Sequence, residues 1–534
     1  MTPILRISLL AALAAAPLTA QQPAAATCPV DFNQPKELVT LYNITRAQAI
    51  QMAAGDERAK VIKSIMKTLS NPKTIAANPQ AVNLFVGQML ILQMMQPGSA
   101  TTATRGTLNW GEPKDAVIDL ARTADSLFKT VETGQPGCLS ETKPWRQAKP
   151  WQDRINAAFK ALQANQVDSA EAYAKSSQVL DATSPYAHRV YAAVAQVRGS
   201  QGEMLKHLDV ALAATVGDTT YAEDRRAVLF QIGQVGLEYA EIQPEPARTE
   251  TLKKAAAALI ALATEAPSAE ATPYALSGLG MAATSLKDSS LFVKCVSMVD
   301  GALDKFSDMS VLQAAICANR NGKTVDAVRL FQATLAKNPN ARDALYNGAA
   351  LLYELRKPQE MLPLVHRLVA LDPSNPDNVS LFAYAYNVIN DQAKPATPPP
   401  APTPAPAPAA PTKPGAKPAP AAKPPVVQAP PPPPPSPWVD SVTKYMKLSD
   451  DMPQRVIITE FVRYADRANL KGEVENRTKA ARAYEIAFEF LDIAGAVVDT
   501  QVAKVASVTA GGTGTFTVAS AKPKVAAWRY APIK

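Results

Sequence analysis

The chain has 534 residues, 47% of them apolar but only 6% aromatic, with 46 prolines and just three histidines, at His188, His207 and His366. That is length for several domains and apolar content for real cores, but too few histidines for a multi-histidine metal centre or relay. Of the net charge of +8, four lysines in 392–437 and the basic excess after 438 account for nearly all, and residues 7–391 balance to zero. No basic stripe with interleaved aromatics marks the large folded part, which argues against a nucleic-acid partner.

Residues 1–20 open with Arg6 and then an apolar run, Ile7 to Ala16, too short to span a bilayer, followed by Leu18-Thr19-Ala20. This pattern predicts a cleaved export signal and an exported chain, bound for periplasm, envelope or medium. No later run reaches the length of a membrane span. In an exported chain, Cys28, Cys138, Cys295 and Cys317 predict two disulfides. Three pairings are open, and Cys28–Cys138 with Cys295–Cys317 is preferred. The midpoint of the second pair falls in Phe306-Ser307-Asp308, where a turn between antiparallel helices would bring both cysteines to one level.

Residues 28–147 are expected to form an α-helical domain closed by the first disulfide. Val61, Ile62, Ile65, Met66 and Leu69 have helical spacing after Asp56-Glu57, Asn71-Pro72 and Asn78-Pro79 punctuate, and Leu84 to Met95 is strongly apolar. A long loop over 97–112 and a helix over 114–132 are expected to follow.

From 150 to 391 a repeat emerges. Leu335-Ala336-Lys337-Asn338-Pro339 and Val369-Ala370-Leu371-Asp372-Pro373 end helices, and the step from Pro339 to Pro373 sets the period. Counting back, Ala314-Ala315, Ala318, Ala327 and Phe331 match Gly348-Ala349, Leu352, Met361 and Val365, and one further step gives Phe382-Ala383 and Tyr386. This resembles the tetratricopeptide repeat (TPR), closely over about 305–391 and more loosely at 152–184 and 274–305, where the register slips by one residue. The resemblance implies a TPR-like helical solenoid with a groove holding a protein or peptide. On that map the groove residues of the first helix of each pair are Asn319, Arg320, Tyr346, Tyr353, Tyr384 and Asn387.

Residues 392–437 hold four lysines and no acid, and 394–437 alone contains 21 of the 46 prolines. The segment is expected to be an extended linker reaching about 130 Å at most, at roughly 3.1 Å per residue, that separates what lies on either side.

Residues 438–534 turn to strand periodicity. Arg455 to Phe461 opens a β-rich module, and Tyr484, Ile486, Phe488 and Phe490 alternate with Glu485, Ala487 and Glu489. Gly472-Glu473-Val474-Glu475-Asn476, Phe488-Glu489-Phe490-Leu491-Asp492 and Ala510 to Phe516 resemble the FxLYD domain, a bacterial exported β-sandwich. That resemblance implies a non-catalytic accessory module. The expected fold class is therefore α + β and multidomain: a TPR-like α-helical solenoid, a Pro/Ala-rich linker and a small C-terminal β-sandwich.

Catalytic motifs do not assemble. Asn321-Gly322-Lys323-Thr324 resembles the end of a phosphate loop, yet its first glycine position is Cys317 and no strand precedes it. Ser64-Ile65-Met66-Lys67 lies on an amphipathic helix without partner motifs, and Asn43-Ile44-Thr45 and Asn476-Arg477-Thr478 are formal glycosylation acceptors that are discounted. The reading is an exported non-catalytic interaction scaffold. It needs no metal or cofactor, and its partner is a protein or peptide of the cell envelope rather than nucleic acid or a small molecule. The alternatives are a self-assembling envelope spacer and an enzyme sited in 28–147.

Overall fold

The computed structural model describes residues 28–31, 36, 38, 52–393 and 437–533. The expected export signal, Asn43-Ile44-Thr45 and the Pro/Ala segment 394–436 lie outside the described residues. The chain divides into two compact units, residues up to 265 and residues from 266. Among the described residues no helix is long and apolar enough to cross a membrane.

The first unit begins with α1 (Asp56–Leu69), α2 (Pro72–Ala77) and α3 (Pro79–Met94). Asn71 and Asn78 cap the latter two, their side chains accepting from the backbone N–H of Lys73 and Ala81 with Pro72 and Pro79 at the first helical positions. Helix α3 is largely apolar, and every residue from Ala81 to Leu92 except Asn83 is buried, as suits a central core helix. Strands β1 (Thr102–Thr104) and β2 (Val117–Asp119) form a small antiparallel ribbon, with α4 (Arg105–Leu108) between them.

Helix α5 (Leu120–Gly134) starts six residues later than the spacing predicts. Pro113 to Asp119 is used by the ribbon, and the Asp119 side chain caps the helix by accepting from Arg122 N–H. Phe128 of α5 fills the gap left by Gly87 of α3. Cys28 is joined to Cys138, just before α6 (Leu139–Arg146), with 4.3 Å between their Cα atoms.

Arg146, 7% exposed, binds Asp125 at 2.7 Å, Glu132 at 2.8 Å and the Leu180 carbonyl at 2.7 Å. It thereby locks the N-terminal helices to the helix pairs that follow. Those pairs are α7 (Lys149–Gln163) with α8 (Val167–Gln178), α9 (Pro185–Val197) with α10 (Gln201–Ala214), and α11 (Ala222–Ala240) with α12 (Ala247–Glu265). In the last pair Gly236 lets the helices approach closely: a Cβ there would lie 2.9 Å from that of Ala255.

The second unit continues with α13 (Thr272–Leu286) and α14 (Ser289–Asp300), α15 (Asp308–Arg320) and α16 (Thr324–Lys337), α17 (Arg342–Glu354) and α18 (Pro358–Leu371), then α19 (Pro376–Ala393). The repeat is visible in the backbone. The turns inside five pairs each hold one residue in the left-handed region: Asn165, Gly199, Lys287, Gly322 and Arg356, with φ between 53° and 72°. Glycine takes that conformation freely, the others at some cost. Asn165 and Gly199 are one repeat period apart, as are Gly322 and Arg356, whereas Lys287 precedes Gly322 by one position more. That is the one-residue slip read in the sequence. Ala314, Ala315, Ala318, Ala327 and Phe331 are buried, as are Ala349, Leu352, Met361 and Val365. These stacked pairs make TPR-like solenoid segments. The cysteines of α14 and α15 are joined, Cys295 to Cys317, with 6.4 Å between Cα atoms, which fastens one pair to the next.

Residues 438–450, read in sequence with the β module, form a helix, α20 (Trp438–Asp450). It lies antiparallel on α19: Trp438 stacks on Tyr386 at 5.8 Å, Tyr445 on Phe382 at 4.7 Å, and the Ser449 hydroxyl donates to the Pro376 carbonyl at 2.9 Å. Six strands follow: β3 (Gln454–Arg463), β4 (Ala468–Asn476), β5 (Arg482–Leu491), β6 (Val497–Val508), β7 (Thr513–Ser520) and β8 (Ala527–Tyr530).

The strands form two three-stranded antiparallel sheets, ordered β3-β4-β7 and β6-β5-β8. Tyr484, Ile486, Phe488 and Phe490 face inward as their alternation predicts, and Phe488 packs 5.4 Å from Phe516 and 5.3 Å from Tyr530. Asn476 is fully buried, donating to the carbonyls of Ala480 and Val508 and accepting from Thr478 N–H. It is a turn-forming residue with no exposed amide to glycosylate.

Candidate partner-binding face

Helices α15, α17 and α19 are the first members of successive pairs, so residues one period apart recur along one face. Asn319, Tyr353 and Asn387 occupy one such row, and Ile316, Ala350 and Tyr384 another. Asn319, Arg320 and Asn387 are exposed, Tyr346 is half-buried, and Tyr353 and Tyr384 are 38% and 41% exposed. The structure brings Tyr353 and Tyr384 together, their ring centroids 5.5 Å apart and tilted by 39°. The Arg342 guanidinium sits 5.1 Å over the Tyr346 ring. Arg320 lies against Gly280 of α13, where an added Cβ would be 3.6 Å from its Nη1. The face thus offers aromatic surface, side-chain amides and a cation, which suit contact and hydrogen bonding to a partner.

The opposite ends of the same helices carry a feature that sequence reasoning missed: they seat the β-sandwich. Asp308, at the start of α15, pairs with Arg463 of β3 at 2.8 Å, the two side chains only 11% and 14% exposed. Asn338 donates to Asp308 at 2.7 Å and to the Ala526 carbonyl at 3.1 Å. One repeat later Asp372, 1% exposed, pairs with Arg342 at 3.2 Å and accepts from the Tyr530 hydroxyl at 2.5 Å. Val456 N–H donates to the Ser374 carbonyl at 2.9 Å, as in a strand ladder.

Burial opposes the charge of Asp308, but Arg463 and the Asn338 amide outweigh it and hold the carboxyl below its usual range. Burial and then the Asp372 charge push the Tyr530 phenol well above its ordinary value, so it remains a donor. Between seat and sandwich is a cavity of about 150 Å³, lined among others by Met309, Leu312, Phe461 and Trp528. The sandwich is therefore seated on the repeats, not held at a distance as the linker composition suggests. Its signal in the sequence is the pair Asn338 and Asp372, polar residues at matched positions before Pro339 and Pro373.

In the first unit the structure joins two of the three histidines. His188 and His207 face each other across α9 and α10 with their Nδ1 atoms 3.2 Å apart, Gln178 meets the other nitrogen of His188 at 3.1 Å, and Tyr191 donates to Gln178 at 2.9 Å. Among the described residues no three His, Cys, Asp or Glu side chains are grouped to hold a metal.

No family model matches the chain, and no curated protein matches it. Solved structures similar to it include Pseudomonas aeruginosa pilF (15% identity, covering 43% of this chain and 94% of that one, TM-score 0.28). YrrB, described as a TPR protein with an unusual peptide-binding site, matches at 17% identity over 43% of this chain and 89% of its own, TM-score 0.22. A tetratricopeptide repeat protein from Parabacteroides merdae matches at 14% identity over 45% and 91%, TM-score 0.27. Likeness at these scores bears on neither arrangement nor activity.

Proposed function

We propose that this chain is an exported, non-catalytic interaction scaffold of the cell envelope, and that the shared face of α15, α17 and α19 holds a protein or peptide partner. The observation that supports this reading most is the exposed Tyr353–Tyr384 pair, contributed by two successive repeats. Interface anchors are drawn preferentially from tyrosine, tryptophan and arginine, and both rings are exposed to solvent. Asn319, Arg320 and Asn387 supply polar contacts around them, with Tyr346 further along α17. Export rests on the N-terminal sequence pattern, supported by the paired cysteines. The C-terminal sandwich, with its resemblance to the FxLYD domain, serves as an accessory module seated at the opposite ends of these helices.

The test is the double substitution Tyr353→Ala and Tyr384→Ala in the full chain, scored for recovery of co-purifying proteins against melting temperature. The reading expects one recurrent partner to be lost with the melt unchanged. Unchanged recovery of every partner removes the face from consideration. Open-ended growth in light scattering, with no partner, would favour the self-assembling spacer.

A further inference from the structure

We propose that residues 376–391 and 438–453 are the two halves of a single repeat, and that the Pro/Ala segment is an insertion within it, not a tether between domains. The register carries this. Helix α15 starts at Asp308 and α16 at Thr324; α17 starts at Arg342 and α18 at Pro358, the same interval in both pairs. Helix α19 starts at Pro376, so by that interval its partner is due at 392, where the Pro/Ala segment begins. The partner is α20. Its seventh residue after the start is Tyr445, matching the buried Phe331 and Val365 of α16 and α18. Fifteen residues after each start comes a proline: Pro339, Pro373 and, after α20, Pro453.

The packing agrees with the register. Helix α20 runs antiparallel to α19, from Trp438 on Tyr386 to Ser449 on Pro376, with Tyr445 stacked on both Phe382 and Tyr386. Tyr445 stays half-buried because no further helix pair covers it, as befits the closing element of a repeat array. Near the insertion's departure point, the Gln392 side chain donates to the Arg356 carbonyl at 2.8 Å and Arg356 pairs with Asp391 at 3.7 Å, so α19 is held to the preceding turn. Elsewhere a short turn such as Asn321-Gly322-Lys323 joins the same two helix ends.

Both ends of the insertion are thus fixed to one helix pair, leaving no separation for it to span. The strand that follows Pro453 enters directly on the seat made by Asp308, Asp372 and Ser374. Repeats 266–393, α20 and the sandwich then act as one receptor, and the end of α19 and the start of α20, which flank the insertion, lie at the ends of the helices away from the seat.

Two experiments test this on the full chain. Replacing 394–436 by Gly-Asn should leave the sandwich melting together with the repeats of the second unit, with that Tm unchanged or raised because a shorter closure costs less entropy; a separate, earlier melting step for the sandwich would overturn the proposal. Independently, a site-specific protease sequence placed after Gly415 is cut in the native protein. Neither disulfide bridges the cut, so the C-terminal fragment should co-elute with the rest by packing alone. A Tyr445→Ala substitution, which removes a stacked aromatic from the helix contact, should raise its release at least ~10-fold. Ready separation of the unsubstituted fragments would overturn the proposal.

Discussion

Asn338 and Asp372 stand one repeat period apart, each at the C-terminal cap of the second helix of its pair, and each bonds to the β-sandwich. The repeat period thus supplies two matched docking points, Asn338 to the Ala526 carbonyl and Asp372 to the Tyr530 hydroxyl. Both sit beside an ionic partner at the start of a first helix, Asp308 and Arg342 respectively.

Removing a partner from this seat should cost more than a surface ion pair does. Arg463→Ala leaves Asp308 charged and nearly buried, for which about 3 kcal/mol of stability is expected to be lost. Tyr530→Phe removes both the hydrogen bond donated to the charged Asp372 and the one accepted from the buried Ser374 N–H, and should cost about 3 kcal/mol. Denaturant titrations of the two variants measure both. A loss below ~0.5 kcal/mol for Arg463→Ala, the size seen for exposed pairs, would mean that the seat is solvated.

The Cys295–Cys317 bridge closes a sequence separation of 22, which the chain-entropy treatment equates to about 3 kcal/mol. The double variant Cys295→Ser and Cys317→Ser should lose about that much stability, and so melt earlier, without losing the second unit's fold. Comparing melts of the variant with those of the unreduced parent measures it.

Acidification should destabilise the first unit through its histidine pair. Burial first, then the neighbouring His207, lowers the His188 pKa, and burial lowers that of His207 although Glu203 and Glu171 pull the other way and Lys206 adds to the lowering. Tyr191 and Gln178 complete the groups around the pair. With both folded values depressed, the unfolded chain binds more protons. The contribution is complete above the unfolded value of about 6.5 and lost as pH falls through the folded values. Tm measured between pH 7.5 and 5 should drop, and a His188→Gln, His207→Gln variant should drop less steeply.

Much of this fold is legible in the residues. Small residues at Ala314, Ala318, Ala327 and Gly348 and prolines one period apart announce helix pairs, because close helix approach and helix termination each tolerate few residue types. The alternation about Phe488 likewise fixes which face of β5 is inward. What the sequence hides is assembly at a distance. Composition marks 394–437 as unable to bury a core, which suggests a spacer, yet nothing local shows that the flanking helices pair with each other. Only Pro453, matched to Pro339 and Pro373, betrays it. The six face residues follow from the repeat register. The contact between Tyr353 and Tyr384 follows from their places on adjacent first helices, whereas Arg463 and Tyr530 gain their role only when the sandwich is seated.

Whether the proposed α15–α17–α19 face meets a partner is read out by in-cell photocrosslinking. A photoreactive phenylalanine is placed at 353, at 384, and at the 69% exposed Val325 on α16 as a control. The same adduct is expected from 353 and 384 and none from 325. Adducts of equal yield at all three positions, or only adducts between copies of this chain, would rule the face out as a partner site.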